Sequence, residues 1–179
     1  MVDLVNTLPG ASRSGADELS ETGELTALLT RHSYSGRFDR DEAELAQVVE
    51  SRALLRRIWA LDADDAVRPV NQMFADANTL LYLAKHDHFD WHLHATEPDA
   101  PLVERIIGEA AIAFADMIRS LEWSRLRECD ADDCDGVLAD LSRNGSKRFC
   151  SIRCGNRMNQ LAFRERQISG TTEQLETSG

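Results

Sequence analysis

The chain has 179 residues, of which 42% are hydrophobic, the composition of a globular protein with one domain, or one domain and a small appendage. Its apolar runs are far shorter than the ~18 residues that a membrane-spanning helix needs, and its start lacks the basic and apolar stretches of a secretory signal. We therefore expect a cytoplasmic protein with no membrane partner. The cysteines of such a protein stay reduced, which excludes a disulfide scaffold.

The formal net charge of −11 would ordinarily argue against a nucleic-acid partner. The charge is unevenly distributed, however. Residues 143–168 contain seven basic residues and one acidic residue, whereas the rest of the chain carries a net charge of −17. This asymmetry predicts two parts of the protein with different electrostatic partners.

The first 124 residues predict a mostly helical domain. A short strand is expected over residues 1–8, followed by helices whose apolar residues recur at helical spacing. One helix contains Leu25 and Leu28, a long one begins near Asp41, and two more are expected to carry Pro69 and Pro101 in their first turns. Proline is tolerated there because the first turn leaves its N–H groups unpaired.

The segment before the last of these helices contains four of the five histidines of the chain. Strand-like alternation places Trp91 and Leu93 on one side and His88, His92 and His94 on the other. Imidazole groups can bind a transition metal, sense pH or contact an anionic ligand. The favoured alternative is a solvated polar face, which is common in antiparallel strands. We retain His88, His92 and His94 as candidate ligand-binding residues.

The four cysteines form two close pairs, Cys129 with Cys134 and Cys150 with Cys154. Two such pairs can supply four thiolates to a tetrahedral zinc ion. Because all four ligands would be protein thiolates, no coordination position remains for a substrate. The spacing therefore predicts one structural Zn²⁺ rather than a catalytic one.

The sequence around the cysteines predicts a knuckle, a hairpin and a helix. Strands are expected over 136–141 and 147–150, joined by a turn at Asn144-Gly145, a dipeptide that favours tight hairpins. A proline-free segment from Ser151 onward predicts a helix. This order of elements is that of a treble-clef-like finger.

One face of the expected helix has the chemistry needed to bind DNA. Arginine can pair with guanine, glutamine and asparagine can pair with adenine, and basic residues near the hairpin turn can contact phosphates. The candidate DNA-binding residues are Lys147, Arg148, Arg153, Asn156, Arg157, Gln160 and Arg164. Alternatively, these side chains form a solvated face or pair with the acidic domain, and Arg157 hydrogen-bonds the zinc knuckle.

The segment from position 129 to 166 resembles the CGNR zinc-finger proteins, because it contains DLSRNGSKRFCSIRCGNR with the tetrad Cys-Gly-Asn-Arg at 154–157. The N-terminal stretch DLVNTL is similar to the opening of the ABATE domain of that family. The resemblance implies a sensing domain joined to a DNA-binding finger in a bacterial, stress-induced transcription regulator. It also implies that Asn6 and Thr7 face a ligand pocket, although they can equally hydrogen-bond the backbone in a turn.

Together these features predict an α+β protein. We expect a mostly helical domain with a small antiparallel sheet over 1–124, a treble-clef-like zinc finger over 125–168, and a flexible tail over 169–179. The predicted function is transcription regulation: the finger binds double-stranded DNA, the N-terminal domain binds a small-molecule effector, and the protein forms a homodimer. A zinc finger that docks on another protein is the alternative. No P-loop, GxGxxG, GxSxG or HExxH motif is present, so we expect no enzyme.

Overall fold

The computed structural model describes residues 1–85 and 90–176, with side chains described up to residue 167; the candidate ligand-binding residue His88 lies outside the described residues. The helices within them are α1 (Val2–Val5), α2 (Thr22–Arg31), α3 (Glu42–Trp59), α4 (Ala63–Asp76), α5 (Leu102–Arg119) and α6 (Ile152–Glu176). A 3₁₀ turn spans Trp123–Arg125. Two antiparallel pairs complete the fold: β1 (Tyr82–Ala84) with β2 (His92–His94), and β3 (Leu126–Glu128) with β4 (Val137–Ala139). The predicted α+β class is confirmed.

The hydrophobic core lies between α3, α4 and α5. Phe114 of α5 is fully buried and meets the ring of Trp59 edge-on, with centroids 5.6 Å apart. Helices α3 and α4 begin where the sequence places N-capping aspartates: Asp41 accepts from the Glu44 N–H, and Asp62 from the Asp65 N–H. Such caps satisfy backbone donors that the helix itself leaves unpaired. The amphipathic stripes therefore pack as their spacing predicts.

Residues 1–8 do not form the expected strand, because α1 occupies Val2–Val5. Leu4 and Val5 are both buried, although they are adjacent and would point to opposite faces of a strand. A single helical turn directs both toward the core. The prediction of a strand here is wrong.

Pro69 is not in the first turn of its helix, since α4 already begins at Ala63. The capping aspartate at position 62 sets the start of the helix, and the proline lies in its interior. Proline removes one backbone hydrogen bond of a helix. The helix nevertheless continues past Pro69, and the Val70 and Met73 side chains that follow it are buried in the core. Pro101, in contrast, directly precedes α5, close to its predicted position.

The β1–β2 hairpin is oriented opposite to expectation. Leu83 and Leu93, which are paired across the two strands, are 62% and 42% exposed, and Trp91 is 67% exposed. The side chains of His92 and His94 instead lie on the side of α5, where His94 contacts Glu109. The favoured interpretation of a solvated histidine face is therefore wrong, because α5 provides a polar partner that the local alternation does not reveal.

The β3–β4 pair joins the finger to the N-terminal domain. Leu126 and Val137 belong to the same hydrophobic core as the helices. Strand β4 pairs with β3 and not with residues 147–150, which form no strand. The buried carboxylate of Asp140 accepts hydrogen bonds from the backbone N–H groups of Ser142 and Lys147, and these replace the expected ladder. The predicted second strand is thus a loop organised by one aspartate.

The loop before α6 turns at Gly145, whose N–H donates to the Ser142 carbonyl. Gly145 has a φ of 59°, while Asn144 is not in the left-handed region, so this is not the two-residue hairpin turn that was expected.

Helix α6 starts at Ile152 as predicted and continues to Glu176, beyond residue 168, where it was expected to end. In its first two turns Cys154 is buried, and Gly155, Arg157 and Met158 are half-buried. Beyond Met158, the described side chains are exposed except for the half-buried Ala162.

Candidate metal centre and nucleic-acid interface

The four cysteines converge at one point. Cys129 follows β3, Cys134 lies in the next turn, Cys150 ends the loop and Cys154 lies in the first turn of α6. Their sulfur atoms all lie within 4.8 Å of one another, with 3.6 Å between Cys134 and Cys150 and 3.7 Å between Cys150 and Cys154. Zinc–sulfur bonds of about 2.3 Å in a tetrahedron separate the sulfurs by about 3.8 Å. The four side chains therefore fit one zinc ion.

The backbone around the sulfurs is shaped to hold thiolates. The Gly136 N–H donates to Cys134 Sγ at 3.3 Å, and the Cys150 N–H donates to Cys129 Sγ at 3.4 Å. A Cβ atom on Gly136 would lie 2.7 Å from Cys150 Sγ. Only glycine permits this close approach, so this residue is part of the metal centre although it supplies no ligand.

The local environment shifts the pKa of Cys134, Cys150 and Cys154 in different directions. Burial raises the pKa of Cys134 and Cys150. Burial also acts to raise the pKa of Cys154, but hydrogen bonds from Ser151 and from the other three cysteines outweigh it and lower this pKa. Ser151 additionally caps α6 by accepting from the Cys154 N–H. Because zinc binds thiolates, metal binding displaces the remaining protons. The complete set of four sulfurs leaves no open position, as expected for a structural centre.

Two of the candidate DNA-binding arginines are paired within the finger. Arg157 forms an ion pair of 2.5 Å with Asp133, and its guanidinium lies 3.9 Å from Cys154 Sγ. Arg148 forms an ion pair of 2.7 Å with Asp130 and stacks on the ring of Phe149. Both contacts fasten the acidic turn between Cys129 and Cys134 to the elements that follow it. Arg157 therefore contacts the zinc knuckle, which is the alternative to DNA binding that the sequence leaves open for this residue.

Two other candidates lie at the edge of the finger. The backbone of Lys147 is bound by Asp140, while its side chain is exposed. The guanidinium of Arg153 donates to the Arg13 carbonyl oxygen of the N-terminal domain. Lys147 is therefore presented on a fixed loop, and Arg153 bridges the two parts of the chain.

The remaining candidates lie on the exposed length of α6. Asn156, Gln160 and Arg164 are exposed, and their spacing of four residues puts them on one face of the helix. Within the described part of the chain, these three side chains form neither hydrogen bonds nor ion pairs. They constitute a polar face that is anchored by the metal centre and open to solvent.

Asn6 joins the two parts of the protein, whereas Thr7 is hydrogen-bonded within the N-terminal domain. The Asn6 amide accepts from the Val137 N–H and donates to the Val137 carbonyl oxygen, both at 2.8 Å, and so pairs with the free edge of β4. The Thr7 hydroxyl donates to the Leu4 carbonyl oxygen and accepts from Arg52. Both residues also border an open cleft of about 1100 Å³ between the N-terminal domain and the finger. A ligand role for them stays a prediction.

Sequence reasoning missed two of these features. The amide pairing of Asn6 with Val137 joins residues 131 positions apart, and no local pattern signals it. The role of Asp140 had a visible signal, since an aspartate two residues before a serine often forms a side-chain turn. The Ser142 hydroxyl and other local donors lower the pKa of Asp140, so its carboxylate stays ionised.

Comparison with known families is consistent with this geometry. A family model described as "CGNR zinc finger" matches residues 125–167. A second, ABATE, described as "Putative stress-induced transcription regulator", matches residues 1–121. No curated protein matches the chain. Within the described ranges, no helix is both long and apolar enough to cross a membrane.

Proposed function

The chain belongs to the ABATE family and carries a CGNR zinc finger, and from this premise we propose that it regulates transcription by binding double-stranded DNA through α6. The observation that carries the proposal is the exposed face of Asn156, Gln160 and Arg164. The metal centre includes Cys154 in the first turn of the same helix, so the start of this face is tied to the finger. Each of the three side chains also has a hydrogen-bonding pattern that suits a base edge.

The distribution of charge supports a defined orientation on the duplex. Lys147 and Arg153 flank the start of α6, where they can contact phosphates and set the register of the helix. Arg148 and Arg157 neutralise Asp130 and Asp133 of the zinc knuckle, two carboxylates that would otherwise repel DNA. We assign these two arginines to the support of the finger rather than to base recognition.

DNA binding is tested by selecting zinc-loaded, full-length protein against a randomised duplex pool and measuring the affinity of the enriched sequence. Arg164→Ala should weaken binding about tenfold, by the 1–3 kcal/mol of one bidentate pair. Arg68→Ala is the matched control, since Arg68 is an exposed arginine of α4. Equal affinity of the two variants would refute the assignment of this face.

The N-terminal domain supplies a site for the proposed effector. An apolar cavity of about 270 Å³ lies between α2, α3 and α5, lined by residues that include Leu25, Val48 and Ile106. It is slightly smaller than pockets for drug-sized ligands and suits a small, mostly apolar molecule. Such a molecule should raise the melting temperature and change the DNA affinity. A compound that raises the melting temperature but leaves the DNA affinity unchanged would refute effector control through this cavity.

A second function, docking on another protein or on a second copy of the chain, is favoured by a different observation. Ile152 and Phe163 of α6, which share one side of the helix because they are about three turns apart, are 84% and 56% exposed. Phe163→Ser should abolish self-association in sedimentation experiments if this side forms a homodimer. If the randomised pool yields no enriched sequence from zinc-loaded protein, docking becomes the better explanation of the finger. In neither case do we assign the protein a catalytic role.

A further inference from the structure

Two histidines of β2 face each other at hydrogen-bond distance. His92 and His94 lie two residues apart on one side of the strand, and their Nε2 atoms are 2.9 Å apart. The ring centroids are separated by 4.7 Å with the planes tilted by 56°. The contact therefore joins the ring edges rather than the ring faces.

The other ring nitrogen of each histidine already contacts an acceptor. His92 Nδ1 lies 2.7 Å from the Asp90 carbonyl oxygen, and His94 Nδ1 lies 3.0 Å from Glu109 Oε1. A carbonyl oxygen and an ionised carboxylate only accept hydrogen bonds, so both Nδ1 atoms carry the proton. In the neutral rings both Nε2 atoms then present lone pairs. Two lone pairs 2.9 Å apart repel each other, and this repulsion is removed when a proton or a metal cation is shared between the two nitrogens.

The separation of the nitrogens fits a transition-metal ion. Metal–imidazole bonds are about 2.0–2.1 Å long, so nitrogens 2.9 Å apart subtend about 90° at the metal. A tetrahedral ion would require about 3.3 Å. Adjacent nitrogens at 90° are typical of the tetragonal geometry of Ni²⁺ and Cu²⁺. We infer that His92 and His94 form a binding site for a divalent transition-metal ion of this class, separate from the zinc centre.

The surroundings hold the two rings in this arrangement. Glu109 is fixed on α5 and orients the ring of His94, an arrangement that commonly accompanies metal-binding histidines. The Tyr82 ring stacks on the His94 ring, with centroids 5.6 Å apart and planes at 22°. The side chains of His94 and Glu109 are 24% and 33% exposed, so an ion can enter from solvent. Water can occupy the coordination positions that the two histidines do not fill.

The test is a titration of the zinc-loaded, full-length protein with Ni²⁺, monitored by calorimetry and by the NMR signals of the histidine rings. Zinc saturation occupies the four thiolates, so nickel reports on nitrogen ligands. We expect one Ni²⁺ per chain, with broadening of the His92 and His94 signals. His94→Ala should weaken nickel binding by at least tenfold. Glu109→Gln, which preserves the shape of the side chain, should weaken it by about 10- to 100-fold.

His32→Ala is the matched control, because His32 also contacts a carboxylate, that of Asp3, and its side chain is 47% exposed. Nickel affinity should be unchanged in this variant. Three results would overturn the inference: no nickel binding, binding that persists in the His92→Ala/His94→Ala double variant, or protonation of one of the two rings in place of metal uptake. None of these readouts depends on DNA, so failure here leaves the proposed DNA binding untouched.

Discussion

Asn6 offers the sharpest test of how the N-terminal domain and the finger are joined. Replacing it by alanine removes both hydrogen bonds to Val137, each 2.8 Å long. Val137 is fully buried at 0% exposure, so its N–H and C=O groups lose partners that the protein interior does not replace. Each unsatisfied buried group costs about 1–3 kcal/mol. Because Asn6 is itself only half-buried and water can partly enter, we expect a loss of about 3 kcal/mol.

This loss is large relative to the stability of a typical domain, about 5–15 kcal/mol. For a chain of this size it corresponds to a fall in melting temperature of about 6–12 °C. Denaturant unfolding of the zinc-loaded protein measures the free energy, and hydrogen exchange of the Val137 amide localises the effect. The exchange of that amide should accelerate more than that of amides in α3 or α5.

Asn71→Ala is the control for Asn6→Ala, since Asn71 is exposed on α4 and its replacement should change stability by less than about 0.5 kcal/mol. If Asn6→Ala is as mild as this control, or leaves the Val137 amide protected, then the side chain is not the link between the two parts. The attachment would instead depend on the shared apolar core around Leu126 and Val137.

Three further predictions concern the metal centre and the N-terminal domain. Cys150→Ser should abolish tight zinc binding and unfold the finger, because metal binding supplies much of the folding free energy of such sites; metal analysis showing one zinc per chain would contradict the ligand assignment. Gly136→Ala should weaken zinc binding without removing a ligand, since the added methyl group would overlap Cys150 Sγ; competition with a chelator measures this, and wild-type affinity would refute it. The hydrogen bonds from Arg52 lower the pKa of Asp17. The ionised Asp17 carboxylate therefore stabilises the folded protein at pH values above the usual carboxyl pKa of about 3.9, and this stabilisation is lost as the pH falls through the lowered pKa. Asp17→Asn should therefore flatten the fall in unfolding free energy below about pH 4, and a slope equal to that of the wild-type protein would contradict this prediction.

The sequence by itself determined the metal centre and the main helices. Two cysteine pairs separated by one short loop bring four thiolates within reach of one tetrahedral ion, and this spacing can be seen in the sequence. The apolar stripes that contain Trp59 and Phe114 likewise had to be buried, since an amphipathic helix has one apolar face to cover. The polar face of α6 follows from the same periodicity. In each of these cases the information lies within a few turns or one short loop.

Tertiary structure alone decided the remaining features, because they depend on partners that are distant in the chain. Strand β4 pairs with β3 on one edge and with the amide of Asn6, 131 positions away from Val137, on the other. Residues 147–150, where a strand was expected, therefore have no free edge of β4 to pair with. Glu109 on α5 draws His94 inward and leaves Leu93 and Trp91 in solvent, reversing the faces that alternation suggested. Asp133 forms an ion pair with Arg157 beside the zinc site, so Arg157 is not part of the exposed face that we propose binds DNA. Local patterns specify which side chains share a face, but the choice of what covers that face is made by the packing of remote elements.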